Sequence, residues 1–328
     1  MRNTFVDSTE RYLGTLVPPE GFPGLPSDWE VETKEIRSAD DRVSLFSVHF
    51  YKKNSTQNRV LFVIHGQGEH SGRYLHFPHY LDGEIDHVYS YDLRGHGRSE
   101  GLRGHVEENF DQYVDDTASV LEMIYEERMK DGTPPQFHVL GHSMGGLILL
   151  RLLFRKTSVP LQSVCISAPL LGLGFEVPWI KRFAARTIGA LWGSLQLSSG
   201  LKRELLSHDP AVVKAHKKDR LNHDRATPLF FISLLDAMEE TLVQAKEKKE
   251  LGVPALFFHP LHDEIVSPER TQALYDALSL GEKKKVELPG YFHEGFNEGC
   301  AVGVDKDYVF KELREWIASH QIQNKKND

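Results

Sequence analysis

The feature that most constrains the fold of this chain of 328 residues is the alternation of short apolar runs with longer helical stretches. Runs rich in Val, Leu, Ile and Phe predict buried strands at 60–64, 87–91, 137–140, 161–166, 255–258 and 286–288. The segments between them predict helices at 109–130, 144–154, 268–278 and 308–320. Apolar strands that alternate with helices are typical of a mostly parallel sheet with helices on both faces.

Two regions depart from this alternation. Residues 29–36 and 43–51 alternate apolar and polar side chains around a turn at Asp40 and Asp41, which predicts an antiparallel hairpin before the parallel sheet. Residues 170–225 have an apolar bias and no clear strand, which indicates a helical cap inserted over the edge of the sheet. The sequence predicts an irregular lead-in over residues 1–28 and an α/β core in two parts, 29–169 and 226–322. The cap would be inserted between these parts at 170–225, and a polar tail would follow at 323–328.

Charge and apolar content exclude several classes of protein. The formal net charge is -8, and the short basic run Lys283–Lys285 is interpreted as the solvated start of a strand, so nucleic acid is not an expected partner. The first residues contain no apolar signal, and charged residues interrupt the apolar region 170–195. These observations predict a cytoplasmic protein that at most touches a membrane surface.

The histidines and cysteines predict neither a metal site nor a disulfide. Among the 17 histidines, the helical pair His76 and His79 flanks Pro78 and has no accompanying acidic residue. The sequence contains no Cys-x-x-Cys motif, and Cys165 lies in an apolar run, which predicts a buried free thiol.

The segment 141–146 reads GHSMGG and stands between a predicted strand and a predicted helix. A serine on a sharp turn of this kind is exposed at the carboxyl edge of a sheet, where it can act as a nucleophile. The N-terminus of the following helix favours developing negative charge, and the N–H group of Met144 is an expected donor to an oxyanion. Ser143 is therefore the predicted nucleophile; the alternative is a glycine-rich turn without chemistry.

A serine hydroxyl needs a base, and the base needs an acid that orients it. Asp263 follows the predicted strand 255–258, and His293 follows the predicted strand 286–288. This placement puts both at the same edge of the sheet as Ser143, in the chain order Ser, Asp, His. The competing acids and histidines lack that placement, namely Glu264, Asp305, His259 and His262. The alternative interpretation is two surface loop residues.

The loop after the strand 60–64 reads HGQG over residues 65–68. A second oxyanion donor is expected from a loop that follows an early strand, and the backbone N–H of Gln67 is the best placed. The alternative is a glycine-containing turn without a catalytic contact.

These motifs together resemble one branch of a known family. Residues 65–74 (HGQGEHSGRY), 92–101 (DLRGHGRSEG) and 141–146, with His293-Glu294 followed by Asn297-Glu298, are similar to those of monoacylglycerol lipases and lysophospholipases, which are serine aminopeptidase S33-like members of the α/β-hydrolase superfamily. The resemblance implies the α/β-hydrolase fold, hydrolysis of a small one-chain glycerolipid ester under the cap, and no cofactor or metal. It covers about residues 30 to 320 and is weakest in the cap.

The resemblance also marks residues outside the predicted triad. For the pair matching Glu69 and Arg73 the resemblance leaves two interpretations open: the pair helps organise the polar head of the substrate, or it forms a salt bridge that anchors the loop. Many relatives have a glycine shortly before the acid, whereas this chain has Pro260, which fixes φ and puts the reach of Asp263 in question.

Three functions remain open on the sequence. The first is an esterase or lipase for monoacylglycerol or lysophospholipid, the second a peptidase or thioesterase with the same triad, and the third a non-catalytic binding protein. Apolar cap side chains would line an acyl-chain tunnel or enter a membrane surface in the first case, or simply pack the cap onto the core: Phe175, Val177, Trp179, Ile180, Phe183, Leu191, Trp192 and Leu195.

Overall fold

The computed structural model describes residues 19–129, 132–175, 192–299 and 303–322. The strands are β1 (Trp29–Arg37), β2 (Ser44–Lys52), β3 (Arg59–Ile64), β4 (His87–Tyr91), β5 (Gln136–His142), β6 (Ser163–Ser167), β7 (Leu197–Ser198), β8 (Arg225–Ala226), β9 (Ala255–Pro260) and β10 (Lys283–Leu288). The helices are α1 (Phe77–Leu81), α2 (Asp111–Met129), α3 (Met144–Arg155), α4 (Pro210–Lys218), α5 (Pro228–Lys248), α6 (Pro268–Ala277) and α7 (Lys306–Ser319).

Eight of these strands form one sheet in the order β1-β2-β4-β3-β5-β6-β9-β10. β1 pairs antiparallel with β2, and β2 pairs antiparallel with β4. From β4 to β10 all pairs are parallel. The predicted fold class, a mostly parallel sheet with an antiparallel N-terminal hairpin, is confirmed.

The central strands are buried on both faces, as their continuous apolar sequence requires. In β3, Val60, Phe62 and Ile64 belong to one hydrophobic cluster, whereas Leu61 and Val63 belong to a second cluster on the opposite face. The first cluster contains side chains from α2, α3, α5 and α6, and the second contains side chains from α1 and α7. Helices therefore cover both faces, and the carboxyl edge of the sheet is left for a site.

Helix α5, of 21 residues, was not predicted. It begins after Thr227, whose hydroxyl accepts a hydrogen bond from the N–H of Phe230 (3.3 Å), and Pro228 occupies the first helical turn. It ends at Lys248, and the capping residue Lys249 adopts a positive φ of 62°. The Thr-Pro start was a readable signal.

The predicted cap region contains α4 and also a short strand pair, contrary to the expectation of no strand. β7 and β8 pair antiparallel, with Leu197 opposite Ala226. Of the apolar cap residues, Val177, Trp179, Ile180, Phe183 and Leu191 lie outside the described residues, whereas Phe175, Trp192 and Leu195 are exposed.

Three smaller predictions can be compared with the structure. Cys165 is a buried free thiol, as predicted, and burial raises its pKa well above the ordinary value. The lysines Lys283–Lys285 lie inside β10 rather than just before it, because the strand begins three residues earlier than its apolar part indicated. No helix in the described ranges is long and apolar enough to cross a membrane.

Candidate active site

Ser143 lies on the sharp turn between β5 and α3, with φ 53° and ψ −116°. A non-glycine residue at such a φ is strained and persists only where its surroundings hold it. The N–H of Ser143 donates to the carbonyl of Ser167 (2.9 Å), and its own carbonyl accepts from Leu147 (3.2 Å) and Leu170 (2.9 Å). These bonds to β6, to α3 and to the loop after β6 hold the turn in place.

The glycines of this turn are required by close packing. A Cβ at Gly141 would overlap the carbonyl of Gly145, and a Cβ at Gly145 would overlap the carbonyl of Ile64 at the end of β3. The strand, the turn and the helix can therefore approach one another only with glycine at both positions. This explains physically why the motif has its spacing.

Asp263 and His293 come from the loops after β9 and β10 and form a buried hydrogen bond. Nδ1 of His293 lies 2.6 Å from Oδ2 of Asp263, and each residue is at most 5% exposed. The other carboxylate oxygen accepts from the backbone N–H groups of Ile265 (2.8 Å) and Val266 (3.0 Å). The loop after β9 therefore fixes the orientation of the carboxylate independently of its contact with the imidazole.

Pro260 does not prevent this contact. It is the last residue of β9 and pairs with Leu288 at the end of β10. The N–H of His262 donates to the carbonyl of Tyr291 (3.2 Å), which ties the two loops together just before the acid.

Two opposing influences act on the pKa of His293. Burial alone would lower it, but the negative charge of Asp263 and the hydrogen bond to it raise the pKa above the ordinary value of 6.5. The neighbouring His142, whose ring centroid is 4.8 Å from that of His293, has a pKa lowered to about 4 by burial and by His293. The imidazole of His293 therefore binds a proton more readily than an ordinary histidine, whereas that of His142 is neutral at neutral pH.

The loop after β3 carries Gln67 and is held from both sides. Nδ1 of His65 lies 2.8 Å from the carbonyl of Gly66, and Nε2 of His65 accepts from the N–H of Leu93 (2.9 Å). Nε2 of Gln67 donates to the carbonyl of Arg225 in β8 (3.2 Å). Met144 opens α3, where the first N–H groups have no acceptor within the helix.

Arg73 connects this loop to the loop of His293 through two carboxylates. Its Nη1 donates to Oε2 of Glu69 (2.8 Å) and to Oε1 of Glu294 (2.6 Å), and its Nη2 donates to Oε2 of Glu294 (2.6 Å). Glu69 also accepts from the N–H of Gly66 (2.6 Å). Of the two interpretations of Glu69 and Arg73, the structure therefore contains the salt bridge, and it adds Glu294 as a third member.

We expect Arg73→Met to lower the free energy of unfolding by about 3–5 kcal/mol, because it leaves two buried carboxylates without their cation. Both Glu69 and Glu294 are only 4% exposed. The control is Arg37→Met, which removes an ion pair with Asp41 that is exposed to solvent and should leave the free energy of unfolding almost unchanged. Denaturant unfolding at neutral pH measures both, and equal losses would contradict the bridging role.

One cavity joins these elements. Ser143, His293, Gln67, Glu69 and Arg73 all line it, so the structure brings together the loops after β3, β5 and β10. Apolar side chains also line it, among them Leu170, Leu173, Phe230, Phe231, Leu234 and Ile265. Within the described ranges, no three or more His, Cys, Asp or Glu side chains are placed so that they could hold a metal ion.

The C-terminal part of the predicted cap region is hydrogen-bonded to the loop after β3 and to the histidine loop. On one side, the N–H of His223 donates to the carbonyl of Gly68 (2.9 Å), and Nε2 of His70 lies 2.7 Å from Oδ2 of Asp219. On the other side, the fully buried Glu298 accepts hydrogen bonds from the segment before α4 and from the histidine loop. Its donors are the hydroxyl of Ser207, the N–H of His208 and the N–H of Phe292.

The sequence did not reveal every residue of the site. Glu294 and Glu298 were noted only as part of the resemblance, and His216 of α4, which also lines the cavity, was not singled out. The position of Glu294 directly after His293 was an available signal for a residue that orients that loop. No local sequence signal marked His216, because its place in the cavity depends on how α4 packs against segments distant in the chain.

Comparisons with known proteins agree with this architecture. The family model "Serine aminopeptidase, S33" matches residues 55–299. The chain is 28% identical over 261 residues to the monoacylglycerol lipase of Mycolicibacterium smegmatis, covering 80% of this chain and 88% of that protein. It is 27% identical over 255 residues to the phospholipase YtpA of Bacillus subtilis, covering 78% of this chain and 93% of that protein.

The chain is also similar to part of a longer protein and to a solved structure. An uncharacterized abhydrolase domain-containing protein of Dictyostelium discoideum is 30% identical over 268 residues, which are 81% of this chain but only 27% of that protein. The crystal structure of the Paleococcus ferrophilus monoacylglycerol lipase matches with a TM-score of 0.71 and 29% identity, covering 84% of this chain and 99% of that one. The predicted family and enzyme class are confirmed: the chain is a hydrolase that belongs to the serine aminopeptidase S33 family and has the α/β-hydrolase fold.

Proposed function

We propose that this hydrolase cleaves the carboxylic ester of a monoacylglycerol or a lysophospholipid, with Ser143 as nucleophile, His293 as base and Asp263 as the acid that orients it. The observation that carries the proposal is the buried 2.6 Å hydrogen bond between His293 and Asp263, in a cavity that Ser143 also lines. A hydroxyl, an imidazole and a fixed carboxylate are the groups that acyl transfer requires.

In this proposal His293 accepts the proton of Ser143 as the hydroxyl oxygen attacks the ester carbonyl. The backbone N–H groups of Gln67 and Met144 donate to the oxyanion that forms. His293 then protonates the leaving alcohol, and water hydrolyses the acyl-enzyme by the same route. The Asp263 carboxylate stabilises the imidazolium at each stage. The steps use side chains, backbone and water alone.

The choice of a lipid ester is supported by the named relatives and by the cavity. Proteins named monoacylglycerol lipase and phospholipase align over about four fifths of this chain. The apolar residues of α5 and of the cap loops offer an acyl chain a surface that excludes water. Exposed Phe175, Trp192 and Leu195 support peripheral contact of the cap with a membrane surface.

A substrate panel tests the proposal. We expect hydrolysis of p-nitrophenyl esters and of monoacylglycerol, and far slower hydrolysis of di- and triacylglycerols, whose additional chains exceed one acyl-binding surface. Aminoacyl anilides and an acyl thioester belong in the same panel.

The name of the matched family model favours an aminopeptidase as the second candidate function. A preference for anilides over esters would establish that candidate instead of the lipase.

A further inference from the structure

Glu298 is a fully buried carboxylate that binds two segments of the chain at once. From the segment before α4, the hydroxyl of Ser207 (2.8 Å) and the N–H of His208 (2.9 Å) both donate to its Oε2. From the histidine loop after β10, the N–H of Phe292 (3.0 Å) donates to its Oε1, and Nδ1 of His208 lies 3.0 Å from the same oxygen. The carboxylate therefore has a partner at each of its roughly four acceptor sites.

The backbone on both sides of His293 is held by contacts of this kind. On one side, the N–H of Phe292 donates to Glu298. On the other side, the N–H of Glu294 donates to the carbonyl of Leu206 (2.9 Å), in the segment before α4. The backbone angles of a residue decide the direction of its Cα–Cβ bond and the rotamers open to its side chain. The contacts with the segment before α4 therefore help to determine where the imidazole of His293 points.

The segment before α4 and the histidine loop also pack closely against each other. The rings of His208 and Phe292 are stacked, with centroids 3.6 Å apart. A Cβ at Gly299 would lie 2.8 Å from Cβ of Asp209, so the two segments can approach here only because Gly299 has no side chain. Glu298 itself is not among the described residues that line the cavity. It can therefore act on the reaction only through the residues that it holds.

We propose that Glu298 is a positioning residue, which fixes the backbone around His293 by binding the histidine loop to the segment before α4. The inference rests on the proposed ester hydrolysis with His293 as base. A base must lie within hydrogen-bond distance of the hydroxyl that it activates, and a displacement of about 1 Å can reduce the rate by about 100-fold. Asp263 orients the ring through Nδ1, whereas Glu298 acts on the backbone that carries the ring.

The first test measures kcat and KM for p-nitrophenyl acetate and p-nitrophenyl decanoate in two variants. Glu298→Leu removes both acceptor oxygens and should lower kcat by about 100-fold. Glu298→Gln keeps the side-chain length and one acceptor oxygen, and should regain about tenfold of that loss. We expect KM to stay within about twofold of the parent value, because Glu298 does not line the cavity.

Both esters should show the same loss of kcat, because the base serves every ester whatever its acyl chain. A parent value of kcat in folded Glu298→Leu would overturn the inference. A loss confined to the decanoate would also overturn it, since that result would place Glu298 in acyl-chain binding.

Asp86→Asn is the control for a general loss of stability. Asp86 is also a buried carboxylate, but it binds Arg59 (2.6 Å) at the amino end of the sheet, opposite the edge that carries Ser143. This variant should unfold at a lower temperature and keep the parent kcat wherever circular dichroism shows it to be folded. Equal losses of kcat in folded Asp86→Asn and Glu298→Gln would reveal a general effect of losing a buried carboxylate and would overturn the positioning role.

Ser207→Ala carries the test if neither variant of Glu298 folds. It removes one of the donors to the carboxylate and should lower kcat by about threefold at unchanged KM. A parent kcat in Ser207→Ala would then overturn the inference. If the parent protein cleaves neither p-nitrophenyl ester, the proposed ester hydrolysis itself fails. If it cleaves them and the variants keep the parent kcat, only the positioning role fails.

Discussion

Ser143→Ala should reduce ester turnover by about 10⁶-fold while leaving the fold intact, because it removes the attacking oxygen and nothing that packs the core. The turn is held by backbone bonds from Ser143 to Ser167, Leu147 and Leu170, and the substitution keeps all of them. Turnover of a p-nitrophenyl ester measures the loss, and circular dichroism with thermal unfolding measures the fold.

The control for this variant is Ser279→Ala, at an exposed serine after α6. A fluorophosphonate probe should label the parent protein and Ser279→Ala, but not Ser143→Ala. Ester hydrolysis at the parent rate by Ser143→Ala would refute its assignment as nucleophile. Absence of labelling in the parent protein would favour a non-catalytic binding protein on this scaffold.

Asp263→Asn should lower kcat/KM by about 10⁴-fold, because the neutral amide neither stabilises the imidazolium nor selects the productive tautomer of His293. The substitution keeps the side-chain shape and an oxygen that can accept from Ile265 and Val266. Glu264→Gln is the matched control, since Glu264 is the adjacent carboxylate but is exposed. Similar losses in the two variants would contradict the role of Asp263.

The pH profile distinguishes an electrostatic role of Asp263 from a purely structural one. The base acts as neutral imidazole, and its raised pKa means that the parent kcat/KM should be full at alkaline pH and fall as the pH drops through a value above 6.5. In Asp263→Asn the burial of His293 remains but the carboxylate charge is gone, so the acidic limb should move to lower pH. If the acidic limb of the pH profile stays at the parent pH in Asp263→Asn, the charge of Asp263 is not what raises the pKa of His293.

The parts of the fold and site that were predictable are those encoded locally. Gly141 and Gly145 mark the turn that holds Ser143, since the close contacts there lie within a few residues or against the neighbouring strand. Asp263 and His293 follow strand ends, and parallel strands bring their carboxyl ends to one edge whatever the intervening sequence. Chain order and strand ends were therefore sufficient to predict the pairing that the structure contains.

The remaining features depend on contacts between distant segments. The partner of Arg73 in the histidine loop, Glu294, lies 221 residues away in the chain, and no local pattern predicts which carboxylate it meets. His216 reaches the cavity only because α4 folds back over the sheet. The start of α5 had a local signal in Thr227 and Pro228, but the predicted helices did not include this segment.

The strand order has a consequence for how the protein behaves at high concentration. The two edges of the sheet are β1 and β10, whose outer backbone groups could pair with a strand from another molecule. β1 exposes Glu30 and Lys34, and β10 exposes Lys284 and Glu287. Charged side chains on both edges oppose such pairing, because an added strand would withdraw them from water. The charged edge strands therefore oppose aggregation of the protein through its sheet.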